Sequence, residues 1–332
     1  MRRSLILLAA SILTALLVVS GASASHRATT LSLVGYSIPG TAFGKLIPAF
    51  QTTPAGKGVG FTTSFAASEV QSKAVAAGLP ADVVNFSLQA DVDRLVQSGL
   101  VAKSWNANPY HGFVSRSVVV FIVRNGNPKH IRTWDDLVKP GVQVVMPNPF
   151  SSGGARWDVM AAYGAQLREG KTPKQAVAYL QKLFKSTVSQ DTSARNALQT
   201  FLSGRGDVLI DYESDAILAQ SQSKPIFYII PKATIQIETP LAVLSSSKNK
   251  AAAQAFTRWL YTPQAQTIWA QNGFRPVVPS VAKKFKAKFP PRPQLFKIGY
   301  VGGWTKVTKQ FFDPSTGIVA KIEQGLGVST GS

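Results

Sequence analysis

Four short stretches of this chain gather hydrogen-bond donors and almost no charge. They are Tyr36-Ser37-Ile38-Pro39-Gly40-Thr41, Thr63-Ser64-Phe65-Ala66-Ala67-Ser68, the run from Asn148 through Ser151-Ser152-Gly153-Gly154-Ala155-Arg156 to Trp157, and Asp191-Thr192-Ser193-Ala194-Arg195. Each precedes a helical pattern and is rich in small or hydroxyl residues. Asp191 is the one carboxylate within them. The first turn of a helix leaves backbone N–H groups unpaired and carries a partial positive charge. It can therefore hold an anion. Ser and Thr are also the ordinary N-caps, and any single turn is accounted for by capping. Ser152-Gly153-Gly154 goes further, because a cap needs one Ser and the two glycines allow close backbone approach to a ligand. Four such turns converging on one point would hold an oxyanion by neutral donors alone.

Catalytic constellations are harder to find. There is no P-loop, no G-x-S-x-G elbow, no H-E-x-x-H and no G-x-G-x-x-G. Asp211, Glu213 and Asp215 alternate and invite a metal or paired-carboxylate reading. They fall where a strand ends and a helix starts, which accounts for acidic residues there. His26, His111 and His130 share no metal-ligand spacing, and His111 and His130 lie outside the four turns. A hydrolase needs a nucleophile beside a base, and nothing places a His near the serine turns. No catalytic residue, cofactor or metal is expected. The chain has no Cys, which excludes disulfides, thiol catalysis, zinc-thiolate sites and a lipoprotein anchor.

The elements that must position these turns alternate along the chain. Strands are expected at 31–36, 61–64, 82–86, 117–123, 142–146, 207–211, 226–230 and 233–244. Helices are expected at 41–50, 68–77 with Ser68 as N-cap, 90–98, 133–137, 154–167, 173–184, 193–202, 214–220, 251–260 and 263–272. Alternation of this kind predicts an α/β fold with parallel sheets. In such sheets ligands bind beyond the carboxyl ends of the strands, where helices begin. The length of 332 residues predicts two domains or lobes, and 45% apolar against 16% charged residues is a globular composition.

Met1-Arg2-Arg3, the apolar run Leu5 to Val19 and Ala22-Ser23-Ala24 read as a secretory signal peptide over 1–24. The run is shorter than the ~20 residues of a membrane span. An exported, soluble, periplasmic chain without a lipid anchor follows. Lys plus Arg number 36 against 16 Asp plus Glu, a formal charge of +20. The densest basic run, Lys283, Lys284, Lys286, Lys288 and Arg292, is broken by prolines and reads as solvated surface. No nucleic-acid motif accompanies it.

The Asn148-Pro-Phe-Ser-Ser-Gly-Gly-Ala-Arg-Trp157 block resembles the signature of the periplasmic sulfate-binding proteins of ABC importers. So do Phe121-Ile-Val-Arg-Asn-Gly-Asn-Pro-Lys129 and Trp134-Asp-Asp-Leu-Val-Lys-Pro-Gly-Val142. Ser193-Ala-Arg195, Gly206-Asp-Val-Leu-Ile210, Phe274-Arg-Pro276 and Gly302-Gly-Trp304 follow in the family's order. The resemblance runs from about Leu31 to Glu323. It implies a two-lobed type II periplasmic binding protein with the ligand in the interlobe cleft. Lobe 1 would comprise 29–115 and 236–285 and lobe 2 116–235, with 286–332 in either. It implies backbone donors at Ser37, Ser68, Gly153, Gly154 and Ala194, the Ser152 hydroxyl, and Tyr212 at the family's indole position. Arg156 and Arg195 are expected to brace the turns. Sulfate carries no proton at neutral pH and needs donors only. Phosphate keeps a proton, and leaving it unmatched in a buried site costs about 1–3 kcal/mol.

The family usually has Asp at Ser37 and His-Gly-Gly-Ser-Gly at Phe65-Ala66-Ala67-Ser68-Glu69, so thiosulfate, molybdate or another tetrahedral oxyanion stays open. Glu69 is expected to point away from the anion. The implied partners are the anion and the membrane permease of an ABC importer, with no nucleic acid and the chain a monomer. A secreted hydrolase on an anionic substrate and a basic surface-interaction protein are the competing classes.

Overall fold

A computed structural model describes residues 29–292, 294–328 and 330. The signal-peptide reading falls outside them. Three strand–helix units open the described chain: β1 (Thr29–Tyr36) with α1 (Gly40–Gln51), β2 (Val59–Ala66) with α2 (Ser68–Ala76), and β3 (Val83–Asn85) with α3 (Gln89–Gln97). The strands pair in parallel in the order β2-β1-β3. The β-branched run after them forms one long strand, β4 (Phe113–Arg124), and leads to β5 (Val144–Pro147). Helices α4 (Gly153–Arg168) and α5 (Pro173–Lys185) follow. Then come β6 (Thr187–Asp191), α6 (Ala194–Leu202), β7 (Val208–Tyr212), α7 (Glu213–Ser221) and β8 (Ile226–Ile229). The chain returns on β9 (Ala233–Val243). It ends with α8 (Lys250–Trp259), α9 (Pro263–Gln271), α10 (Pro279–Lys284), β10 (Gln294–Phe296), α11 (Gly303–Phe312) and α12 (Ile318–Gly325).

These strands form two wings joined by β4 and β9, a two-lobed α/β protein. The first half of β4 pairs antiparallel with β9, Ser117 opposite Ile237. Its second half pairs antiparallel with β7 and β8. β9 likewise reaches both wings, pairing β10 at Ala233–Ile235 and β3 at Leu241–Val243. Ser115 and Thr239 share a hydroxyl hydrogen bond of 2.7 Å where the two strands cross. The sheets are therefore mixed, which corrects the expectation of parallel sheets. Neighbouring strands linked by helical crossovers are parallel, but β4 and β9 run antiparallel to each other, β4 antiparallel to β7 and β8, and β9 antiparallel to β3.

Helix α4 explains much of the packing. Every residue from Gly153 to Gln166 is buried, the mark of a helix enclosed on all sides. The segment after 285 supplies one of those sides. Trp304 packs edge-on against Trp157 with ring centroids 4.6 Å apart, and Phe311 against Tyr163 at 4.8 Å. A Cβ on Gly164 would stand 2.4 Å from the Phe296 ring. On the other wing Phe43, Phe50, Phe256 and Trp269 form an aromatic cluster, with Phe50 and Phe256 centroids 5.0 Å apart.

Candidate functional site

The turns identified in the sequence meet in the crevice between the wings. A cavity of about 210 Å³ is lined by Ser37 after β1, by Phe65, Ala66 and Ala67 at the end of β2, and by Thr192, Ser193, Arg195 and Asn196 after β6. The start of α4 abuts the same region. A Cβ on Gly154 would lie 3.3 Å from Ser152 Oγ, 3.5 Å from Ala194 Cβ and 3.6 Å from Tyr212 Cε1. Ser152, Ala194 and Tyr212 thus gather around Gly154. Gly153 instead abuts the Ser87-Leu88 turn, where a Cβ would stand 2.8 Å from Ser87 Oγ. Only glycine permits that approach.

The donors at these positions have a simple origin. Ser68, Gly153 and Ala194 are the first residues of α2, α4 and α6, and Gly154 is the second of α4. Their N–H groups have no acceptor within their own helices. Ser152 caps α4, its Oγ accepting from Ala155 N–H at 3.5 Å, and Ser193 caps α6 by accepting from Asn196 N–H at 3.2 Å. Two details differ from expectation. Ala67, not Ser68, is the N-cap of α2. The Ser68 hydroxyl donates to Asp91 Oδ2 at 2.6 Å and accepts from Ser87 N–H at 3.0 Å. Ser68 is itself the first helical residue, and its hydroxyl accepts from the Ser87 turn rather than from its own helix. Ser37 lies in the turn before α1, which starts at Gly40, so its N–H is a loop donor.

Each of the two arginines binds one group on its own wing and one across the crevice. Arg156 Nε donates to Pro149 O at 2.8 Å, and its guanidinium pairs with the carboxylate of Glu69 on α2. Glu69 is only 7% exposed and Arg156 3%, and Arg94 and Lys73 also approach Glu69. Arg195 donates to Ile38 O at 2.8 Å and pairs with Asp215 at 2.9 Å. The same bonds tie the start of α4 and α6 to the first wing.

Behind the crevice lie buried acids. Burial pushes the Asp158 carboxyl well above the usual carboxylate range. Asp211 is raised by burial and then by Asp215. Asp215 is raised by burial, while Arg195 pulls it down. Glu213 is held by Arg275, at 2.6 Å and 3.0 Å. The acidic cluster at 211–215 therefore divides: Asp211 and Asp215 face each other beside Arg195, while Glu213 is held apart by Arg275. Among the described residues no His, Cys, Asp or Glu cluster is gathered to hold a metal ion. His111 and His130 occupy exposed turns with φ of 53° and 50°.

Ser87 is the site residue that the sequence did not reveal. Its hydroxyl is 2.8 Å from Tyr212 Oη, its carbonyl accepts from Trp157 Nε1 at 2.8 Å, and its N–H reaches Ser68. It links α2, α4 and β7 through one residue. The turn Asn85-Phe86-Ser87-Leu88 also follows a strand and precedes a helix, but its cap position is Leu88 with no side-chain cap. That removed the signal carried by the other turns.

Strand-end turns feeding helix N-termini, set in a crevice between two wings joined by crossing strands, define an extracellular solute-binding protein. Residues 31–275 match the family of bacterial extracellular solute-binding proteins, and the chain belongs to it. A sulfate-binding protein of Synechococcus elongatus is 35% identical over 316 residues, 92% of this chain and 90% of that one. A thiosulfate-binding protein of Pseudomonas aeruginosa is 35% identical over 319 residues, 92% and 95% of the two chains. The solved structure of the sulfate-binding protein SubI from Mycobacterium tuberculosis is 44% identical, with a TM-score of 0.84 over 86% of this chain and 100% of that one.

Proposed function

We propose that this chain captures sulfate in the crevice and delivers it to the membrane permease of an ABC importer. The observation that carries the reading is the gathering of Ser152, Ala194 and Tyr212 around Gly154 at the start of α4, beside a cavity lined by Ser37, Ala67 and Ser193. Backbone donors at Ser37, Ser68, Gly153, Gly154 and Ala194, with the Ser152 hydroxyl, form an all-donor set. Such a set matches an anion without protons and penalises one that keeps a proton. Tyr212 contributes from the indole position of the family, its hydroxyl oriented by Ser87. Arg156 and Arg195 act on the anion only through the turns they brace.

On this reading lobe 1 comprises 29–115 and 236–285 and lobe 2 116–235, and closure bends β4 and β9 at their crossing. The chain is exported by cleavage after 24, acts in the periplasm as a monomer, catalyses nothing and binds no nucleic acid. The solved sulfate-binding relative at 44% identity supports sulfate, and the thiosulfate-binding relatives keep thiosulfate as the alternative. Equilibrium dialysis with labelled sulfate tests the assignment. Ser152→Ala loses one hydroxyl donor and a cap, and its affinity falls roughly tenfold. Unchanged affinity removes Ser152 from the site.

A further inference from the structure

Most of the acid in this protein is inside it, and nearly all of the base is outside. Ten of the sixteen Asp and Glu residues are buried, Asp91, Asp158, Asp211, Glu213, Asp215 and Glu323 completely. Among the described Lys and Arg residues, Arg156 is the one that is buried. The surface is therefore more cationic than the net +20 conveys. The cations are also concentrated. Between Lys283 and Lys321 there are nine Lys and Arg and a single acid, Asp313.

An aromatic corner sits within this segment. Tyr300 is 43% exposed. The Arg168 guanidinium, from the end of α4, stacks on its ring at 4.2 Å. The Phe296 ring supports it from below at 5.4 Å. Lys297 has a side chain 63% exposed, in loose contact with Glu238 at 3.4 Å. Lys306 folds over Gly302, its Cδ 2.9 Å from where a Cβ would stand. Gly302 and Gly303 take φ of 112° and 79°, a backbone corner that side chains rarely tolerate.

We propose that this corner, Tyr300 with Arg168 stacked on its ring and the exposed Lys297 and Lys306 close by in sequence, docks the protein on the anionic phospholipid surface of a membrane. Basic residues near an anionic bilayer add their attractions. A Tyr ring, apolar with a polar tip, settles at the level of the headgroups. A soluble polyanion would ask instead for a charged groove that tracks successive phosphates. Among the described residues no helix is long and apolar enough to cross a membrane, and the chain has no Cys to carry a lipid. Electrostatic docking would hold an unanchored receptor near a membrane importer. The proposal needs the export read above but not that the captured anion be sulfate.

The test uses the protein recovered from the extracytoplasmic fraction, so that the apolar N-terminal run is not what binds lipid. It is sedimented with phosphatidylcholine vesicles, with and without roughly one-third phosphatidylglycerol. Binding is expected to the anionic vesicles alone, with release at high salt. Lys297→Glu with Lys306→Glu is expected to weaken partitioning about tenfold or more. Lys297→Gln with Lys306→Gln, which keeps side-chain size, shows a smaller loss in the same direction. A parallel sulfate titration, unchanged in both variants, shows that folding and the crevice are intact. Absence of partitioning at low salt would overturn the proposal. So would partitioning that both double variants leave unchanged, or binding to soluble polyphosphate with none to vesicles.

Discussion

Gly153→Ala probes the contact on which the crevice depends. The new Cβ would stand 2.8 Å from Ser87 Oγ and 2.9 Å from both Ser87 Cβ and Leu88 Cγ. Carbon atoms prefer about 3.5–4.0 Å, so something must give by roughly 0.6 Å. Ser87 is poorly placed to move. Its hydroxyl bonds Tyr212, its N–H bonds Ser68 and its carbonyl holds the Trp157 indole. The start of α4 retreats instead and takes the N–H groups of Gly153 and Gly154 with it. A hydrogen bond to a charged group contributes about 1.5–3 kcal/mol, so losing one costs roughly ten- to hundredfold in sulfate Kd. Overpacking costs stability by about 1–3 kcal/mol, offset by up to ~1 kcal/mol from better helix propensity. Calorimetric titration reads the first effect and urea unfolding the second. Wild-type affinity in a folded Gly153→Ala protein would refute the reasoning, because the start of α4 could then not be touching the anion.

Two further predictions concern stability. Gly164→Ala places a Cβ 2.4 Å from the Phe296 ring and 3.2 Å from Val301, so urea unfolding should show a loss of about 1–3 kcal/mol with sulfate affinity unchanged. Glu323 is pushed up to about 7 by burial, against the pull of its bond from Gln190. A carboxyl raised in the folded state favours folding fully below its unfolded value, and that contribution is lost as pH rises through about 7. Glu323→Gln should therefore flatten the fall in stability between about pH 4.5 and pH 7, and raise stability at pH 8 by about 1–3 kcal/mol. Thermal melts across that range check the slope.

The sequence showed some of this architecture clearly and hid the rest for physical reasons. The start of α4 was legible because Ser-Ser-Gly-Gly exceeds what capping requires, and the structure sets that run at the crevice. The strand–helix units from β1 to α3 carried strong apolar patterning and appear where expected, within a residue or two. Strand β6 (Thr187–Asp191) was missed because none of its five residues is buried, so it carries no apolar alternation. Elements α10, β10, α11 and α12 were missed because a basic, proline-interrupted stretch looks like solvated surface. Its apolar residues Phe296, Trp304 and Phe311 pack against α4, far away in sequence. Ser87 was hidden for the same reason. Its importance comes from residues 19, 70 and 125 positions distant, and nothing local marks it. Mixed strand direction was equally invisible, because antiparallel pairing of β4 and β9 joins segments more than a hundred residues apart.

The central claim is that an all-donor crevice selects a proton-free oxyanion. Its most direct test is a calorimetric titration of the exported protein, stripped of endogenous anion by unfolding and refolding. One sulfate per chain is expected, undiminished by excess phosphate and insensitive to pH between about 6 and 8, where sulfate and the backbone donors do not titrate. Phosphate that displaces sulfate at comparable concentration, or a chain that binds neither, would contradict it.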